Sequence, residues 1–348
     1  MKKIDRRNFL KTVGLAGGMV AISGPKGFLG GIAYGAPTFT GVTYLTPGYQ
    51  DLFPAIQAFV AELKKNAGDK LKVDFFDSQT LVKAAEQNSA LRAGTIQFMF
   101  HTSSYITRTF KILGITGLPG IVDELYKHPK RLAMESPIWK ACNDNLAKEN
   151  IFQLTMGGGI LEPEYIWSGA KQVKSLKDLN GKRCRIVSYE ATEALKKFGA
   201  AGVNIPSSEL YLAVQRGTVD AVVANVSTII SRKVHEQLKY VYKMPVTAFT
   251  ISIFLLKDKW DQMPADQKDA FWKAAKYYDD FCAPRINSKF YPEVYWPVIS
   301  KAKIEIVEPT KDESAEFAKQ SQVVIDWWKN EVGEAEGQKV IDMAMGKA

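Results

Sequence analysis

At 348 residues the chain is longer than one hydrophobic core usually extends, so two lobes of ordinary domain size are expected. Hydrophobic residues make up 46% and charged residues 24%, which excludes general disorder and a multi-span membrane protein. The formal charge of +9 is concentrated at the start, where Lys2, Lys3, Arg6, Arg7, Lys11 and Lys26 against Asp5 give residues 1–36 a net +5 and leave +4 for the rest. That remainder is spread out, which speaks against a nucleic-acid partner and suits an anionic small ligand.

The first segment reads as an export signal. Arg6-Arg7-Asn8-Phe9-Leu10-Lys11 sets paired arginines ahead of Phe-Leu-Lys, and an apolar, Gly-rich stretch from Thr12 to Ser23 follows, the layout of a twin-arginine signal. Small residues at Ala33 to Ala36 suit processing near Ala36, and the apolar stretch falls short of the roughly 20 residues that span a bilayer. An exported, soluble mature chain is the expectation; a cytoplasmic chain with a basic amphipathic start is the alternative. Cys142, Cys184 and Cys282 are far apart and odd in number, so in an oxidising compartment at least one stays a thiol.

Beyond residue 36 the pattern alternates. Phe39 to Leu45 is β-rich, Pro47 and Gly48 punctuate, and Leu52, Ile56, Phe59, Val60 and Leu63 recur at helical spacing. Leu71 to Phe76 predicts a strand, Leu81 to Leu91 a helix closed by Gly94, and Ile96 to Phe100 a third strand. Two βα crossovers in succession imply a parallel sheet. A helix near Trp139 to Lys148 precedes a second series: strands at Phe152–Met156, Tyr165–Ser168 and Arg183–Val187, a helix from Glu190 to Phe198, and a strand at Val203–Ile205. A helix from Ser208 to Arg216 stopped by Gly217 and a strand from Asp220 to Val226 complete it. Val241–Val246 and Phe249–Leu256 predict strands that cross between lobes, and Pro264 suits the first turn of a long helix through Phe281. Ile304–Val307 is a late strand before a closing helix.

In such sheets ligands sit beyond the carboxyl ends of the strands, so the loops at Thr46 to Gln50 and His101 to Ser104 are expected side by side at a ligand. Helix capping is the competing role of Thr102, Ser103 and Ser104. The Gly157-Gly158-Gly159 run lies where the chain leaves the first lobe, and reads equally as a hinge or as a tight turn needing positive φ. No Gly-Lys-Ser/Thr follows it, so it is no phosphate loop. His101, His128 and His235 stand apart without paired cysteines or a His-Glu-x-x-His pattern, and no Gly-x-Ser-x-Gly supports a hydrolase at Ser103 and His101. No metal, cofactor or catalytic constellation is therefore expected.

Three segments carry a family resemblance: Asp178-Leu179-Asn180-Gly181-Lys182-Arg183-Cys184-Arg185-Ile186-Val187, then Phe198-Gly199-Ala200, then Glu209 through Gln215-Arg216-Gly217-Thr218-Val219-Asp220-Ala221. In order and spacing they resemble the DctP-type solute-binding proteins of TRAP transporters, and Leu118-Pro119 and Gln97-Phe98 after Ala93-Gly94 extend the likeness over nearly the whole mature chain. The resemblance implies a two-lobe α/β periplasmic-binding-protein-like fold (type II-like) with hinge strands and a long helix. Lobe I would take residues 37–160 and 248–288, lobe II residues 161–247 and 289–325, and a C-terminal helix residues 326–348. It implies a periplasmic receptor, expected as a monomer, that closes on a small organic acid and delivers it to a TRAP permease in the membrane. A receptor docking on a sensor kinase, and an exported enzyme, are the alternatives.

The resemblance also places the family's carboxylate-binding arginine at Arg185. The chemistry fits: a planar guanidinium with five donors matches a carboxylate's two oxygens and stays charged, whereas Lys would not. Where many relatives carry a second arginine, this chain has Tyr165; where an asparagine is usual it has Ala224, with Asn225 one step along and hence on the opposite strand face. Val187 and Ser188 stand where a proline and a polar residue are common, with Tyr189 next, and Ser207 at a position often aromatic. From the first lobe Lys83, Thr102 and Tyr49 are the aligned candidates. Core packing for the tyrosines, helix capping for Ser207 and a solvated lysine for Lys83 are the competing roles. These departures suggest a ligand less polar than a sugar acid or a dicarboxylate.

Overall fold

Alternating strand and helix patterns resolve into two mixed sheets in the computed structural model, which describes residues 37–347. The twin-arginine segment and its processing site lie outside the described residues. In chain order the elements are β1 (Thr38–Thr43), α1 (Leu52–Ala67), β2 (Lys72–Phe76), α2 (Gln87–Arg92), β3 (Phe98–Thr102), α3 (Pro137–Ala147) and β4 (Ile151–Thr155). Then follow β5 (Glu164–Ser168), β6 (Arg183–Arg185), α4 (Tyr189–Lys196), β7 (Ala201–Val203), α5 (Leu210–Gln215), β8 (Ala221–Ala224), α6 (Val226–Ser231) and β9 (Tyr240–Thr247). Strand β10 (Ile251–Leu256), α7 (Ala265–Phe281), β11 (Glu305–Val307), α8 (Lys311–Val332) and α9 (Glu334–Ala344) complete the chain.

The first sheet has the order β2-β1-β3-β10-β4 and the second β11-β9-β5-β8-β6-β7. Parallel pairing holds where βα crossovers predicted it, at β2-β1-β3 and at β7-β6-β8. Strand β10 is antiparallel to both β3 and β4, and β5 to both β8 and β9, because these strands are the ones by which the chain passes from one sheet to the other. A purely parallel sheet would need a crossover at each of those steps.

Helix α1 forms because its apolar residues fall on one face; Leu52, Ile56, Phe59 and Leu63 are buried against the first sheet and α7. Phe59 lies 5.2 Å edge-on from Phe100 and 6.2 Å from Tyr278, so one ring ties α1, β3 and α7 together. The second sheet has its own core, including Ile166, Ile186, Val223 and Val246, closed by Phe317 of α8, which stacks 5.9 Å from Phe198.

Several boundaries differ from the sequence pattern for local reasons. Strand β3 starts at Phe98, two residues later than Ile96, because the Gln97 side chain bridges Thr40 N–H and Gly94 C=O (2.8 and 3.0 Å) at the end of the preceding turn. Strands β6 and β8 stop at Arg185 and Ala224 because Ser188 and Asn225 are helix N-caps, accepting from Ala191 N–H (3.1 Å) and Ser227 N–H (2.7 Å). Residue 326 does not begin the last helix: α8 starts at Lys311 under a Thr310–Glu313 capping box and ends at Gly333, whose φ of 109° breaks it from α9.

The triple glycine is a tight turn. Gly157 and Gly158 have φ of 70° and 71°, and a Cβ on Gly158 would lie 2.2 Å from Asp279 C=O of α7. Ala283 N–H donates to Gly157 C=O (3.0 Å), pinning the turn on the end of that helix. All three cysteines are buried and free, and burial pushes each thiol up to about 12.

Candidate functional site

Where the two sheets meet at the carboxyl ends of β1, β3 and β6, a narrow cavity of about 10 Å³ is lined from both sides. From the first sheet's loops come Tyr44, Thr102, Ser104 and Tyr105, with Phe249 from the β9–β10 passage. Glu164, Arg185, Val187, Ser207 and Thr228 come from the second. That is room for about one water, so the lobes are drawn together around these side chains.

Arg185, the last residue of β6, is only 2% exposed. Its Nε donates to Ile205 C=O (2.8 Å) and its Nη1 to Val223 C=O (3.1 Å), so the strands on either side of β6 hold the guanidinium flat. Two of the five guanidinium donors are thereby used, leaving three, one on Nη1 and two on Nη2, to meet a carboxylate. The ion pairs among the described residues do not include Arg185; Lys171 and Arg183, by contrast, share Asp220.

Glu164, at the start of β5, is a lining residue that the sequence reading missed. It is 3% exposed. Burial pushes its carboxyl up to about 7, against the pull of the Arg185 charge and the Asn225 N–H. No motif marks it; its signal was a charged residue opening an otherwise apolar strand, Glu164-Tyr165-Ile166-Trp167. Ser104 Oγ, also on the wall, is buried without a hydrogen-bond partner.

Of the residues singled out from sequence, the structure brings Arg185, Thr102 and Ser207 to the cavity wall and Tyr49 to its edge. Thr102 Oγ1 is hydrogen-bonded to Tyr44 OH. Ser207 N–H donates to Tyr105 OH (3.0 Å), and Tyr49 OH donates to Ser207 Oγ (3.3 Å) while accepting from Arg232 Nε (3.2 Å). All but the Thr102–Tyr44 bond cross between the lobes. So does that from Thr107 Oγ1 to the buried carboxyl of Glu190 (3.0 Å), which Ser188 Oγ also meets (3.0 Å).

The other predicted residues are elsewhere. Tyr165 points away from the cavity: its OH donates to Glu162 Oε1 (3.1 Å) and its ring packs 6.1 Å from Trp296. Asn225 is consumed as the α6 cap and by its bond to Glu162 C=O. Ser188 caps α4, and the Tyr189 ring lies 4.7 Å from that of Trp327, tilted by 49°, with Arg108 and Lys111 over it. Lys83 is exposed on the loop before a short turn at Ala84–Glu86 and not on a helix.

A nucleophile is not assembled at His101 and Ser103. Burial lowers His101 to about 4, its Nδ1 accepts from Thr102 N–H (3.0 Å), and Ser103 Oγ is paired with Thr116 Oγ1 (3.0 Å) instead. Among the described residues no cluster of three or more His, Cys, Asp or Glu stands ready for a metal ion.

Against known proteins, residues 45–331 match the family described as bacterial extracellular solute-binding protein, family 7. A curated protein of Albidiferax ferrireducens named solute-binding protein is 26% identical over 226 residues, 62% of this chain and 63% of that one. A second, from Verminephrobacter eiseniae, is 26% identical over 224 residues, 64% of this chain and 65% of that one, so the chain matches under two thirds of either relative's length. Among solved structures, a Bordetella pertussis extracytoplasmic solute receptor described as binding pyroglutamic acid superposes with a TM-score of 0.77 at 18% identity, covering 88% of this chain and 99% of that one. At these identities the likeness establishes the two-lobe fold.

Proposed function

We propose that this chain, which belongs to the bacterial extracellular solute-binding proteins of family 7, is a TRAP-type receptor that clamps a small organic acid between its lobes and hands it to a membrane permease. The observation that carries the reading is Arg185: a buried guanidinium pinned by two backbone carbonyls, presenting its free edge to an inter-lobe cavity. A buried cation held that way gains from an incoming anion what no side chain within ion-pair reach supplies. The family resemblance and the pyroglutamate-binding neighbour point to the same ligand chemistry. Export through the twin-arginine signal to the periplasm, and a permease as the membrane partner, complete the reading.

Binding follows from lobe geometry. The acid meets Arg185 on the second sheet; Tyr44, Thr102 and Ser104 then reach it from the first, and these contacts exist only when the lobes are together, so they favour the closed population. The role that follows is capture and release.

The test is a calorimetric titration with small monocarboxylates and their amides, on the wild type and Arg185→Lys. Acids should bind and amides should not, and the lysine, which lacks the planar fork, should weaken the acid at least tenfold. Equal binding of acid and amide, or full affinity in the lysine variant, refutes the assignment.

A further inference from the structure

Two buried groups of opposite character share the cavity wall: the Arg185 guanidinium with three unused donors, and the Glu164 carboxyl with lone pairs to spare. They sense each other's charge but are not an ion pair, although both are almost wholly removed from water. A buried pair left apart in this way is costly unless something bridges it. Ser104 Oγ, buried on the same wall and unpartnered, is a third polar group short of a hydrogen bond. The rest of the wall is Val187, Phe249, the rings of Tyr44 and Tyr105 and the hydroxyls of Thr102, Ser207 and Thr228, of which those of Thr102 and Ser207 are already hydrogen-bonded within the protein.

We infer that the ligand is a small monocarboxylic acid bearing a hydrogen-bond donor, a hydroxyl or an N–H, close to its carboxylate: the carboxylate lies on Arg185 and the donor on Glu164. This rests on reading Arg185 as the carboxylate anchor and adds Glu164 as the residue that determines specificity. The chemistry is asymmetric. A carboxyl accepts a hydrogen bond whether ionised or protonated, so a donor on the ligand is matched in either state. A second ligand carboxylate, or a keto oxygen, brings only lone pairs; facing Glu164 it finds a partner only if that side chain holds a proton, and otherwise meets like polarity. With its proton off, above about pH 7, Glu164 therefore sorts hydroxy, amino and lactam acids from dicarboxylates and keto acids, and in either state it favours them over plain fatty acids.

The experiment is calorimetry on the purified chain at pH 8.5, where Glu164 is ionised, with matched acids: lactate against propanoate and pyruvate, proline against cyclopentanecarboxylate, with malonate as the dicarboxylate. In the wild type the donor-bearing member of at least one set should bind tenfold or more tighter than its counterparts. Glu164→Met, which removes the acceptor at similar volume, should bring that ratio to within threefold. Glu164→Gln, which supplies an N–H, should raise malonate or pyruvate affinity relative to wild type. The inference is overturned if the counterparts bind equally in the wild type, or if the ratio survives in Glu164→Met. Those outcomes leave the carboxylate anchor standing, because plain acids still bind through Arg185. Loss of all acid binding in the wild type overturns the anchor and the inference together. Should Glu164→Met not fold, the isosteric Glu164→Gln carries the same decision through its malonate and pyruvate affinities, and unchanged values there are equally fatal.

Discussion

Replacing Glu164 by Gln should make the unliganded protein more stable at alkaline pH while changing it little near pH 4. The sign follows from proton counting. Burial holds the Glu164 proton up to about 7, against 4.5 for an ordinary glutamate, so between these values the native state binds more protons than the unfolded chain. Stability contributed by this site is present below 4.5, falls as pH rises through about 7, and stays lost above it. At 1.36 kcal/mol per pH unit the interval from 4.5 to about 7 amounts to roughly 3 kcal/mol. Asp279, buried beneath the glycine turn and also raised to about 7, adds a slope of the same sign, but it is common to both proteins and cancels in their difference. The assay is thermal unfolding of wild type and Glu164→Gln side by side from pH 4 to pH 8.5. The gap should widen with pH and reach on the order of 6 °C, taking about 2 °C per kcal/mol for a chain this long. A gap independent of pH would refute the placement of a desolvated carboxyl in the cavity.

Other expectations follow from packing. Gly158→Ala should destabilise by more than about 2 kcal/mol in chemical denaturation, because a Cβ would meet Asp279 C=O at 2.2 Å from a φ of 71°. Tyr49→Phe removes a hydroxyl that links Ser207 and Arg232 across the lobes; ligand dissociation followed by stopped flow should quicken several-fold while the core stays intact. Thr310→Ala dismantles the capping box of α8 and should lower stability by about 1 kcal/mol, read from the unfolding midpoint.

The order of elements could be read from the chain because each carries its own periodicity: Leu52, Ile56, Phe59 and Leu63 place α1 unaided, and Gly94 and Gly217 mark their turns with φ of 71° and 67°. Arg185 is picked out by a motif and not by chemistry visible in isolation, and the structure sets it on the cavity wall. What escaped were contacts between residues far apart in sequence. Tyr165 sits in a strand as predicted, yet its pairing opposite Ala224 turns its hydroxyl towards Glu162. Asn225 looked like a displaced ligand contact because a capping asparagine and a strand-end asparagine have the same local sequence. Glu164 was overlooked for the converse reason: its importance lies in the pairing that sets β5 two strands from β6 and both ends at the same seam, and no short window of sequence contains that information.

Helix α8 runs over both halves of the molecule like a splint. Near its beginning Phe317 is seated on Phe198 of the second lobe; near its end the Trp328 indole donates to Lys111 C=O of the first (2.7 Å), and α9 continues along that lobe, where Arg131 Nη1 reaches Ala344 C=O. Parting the lobes therefore cannot be a free swing about the connecting strands. One end of the splint has to lift or flex, and the work of doing so sets how widely the mouth gapes before a solute enters.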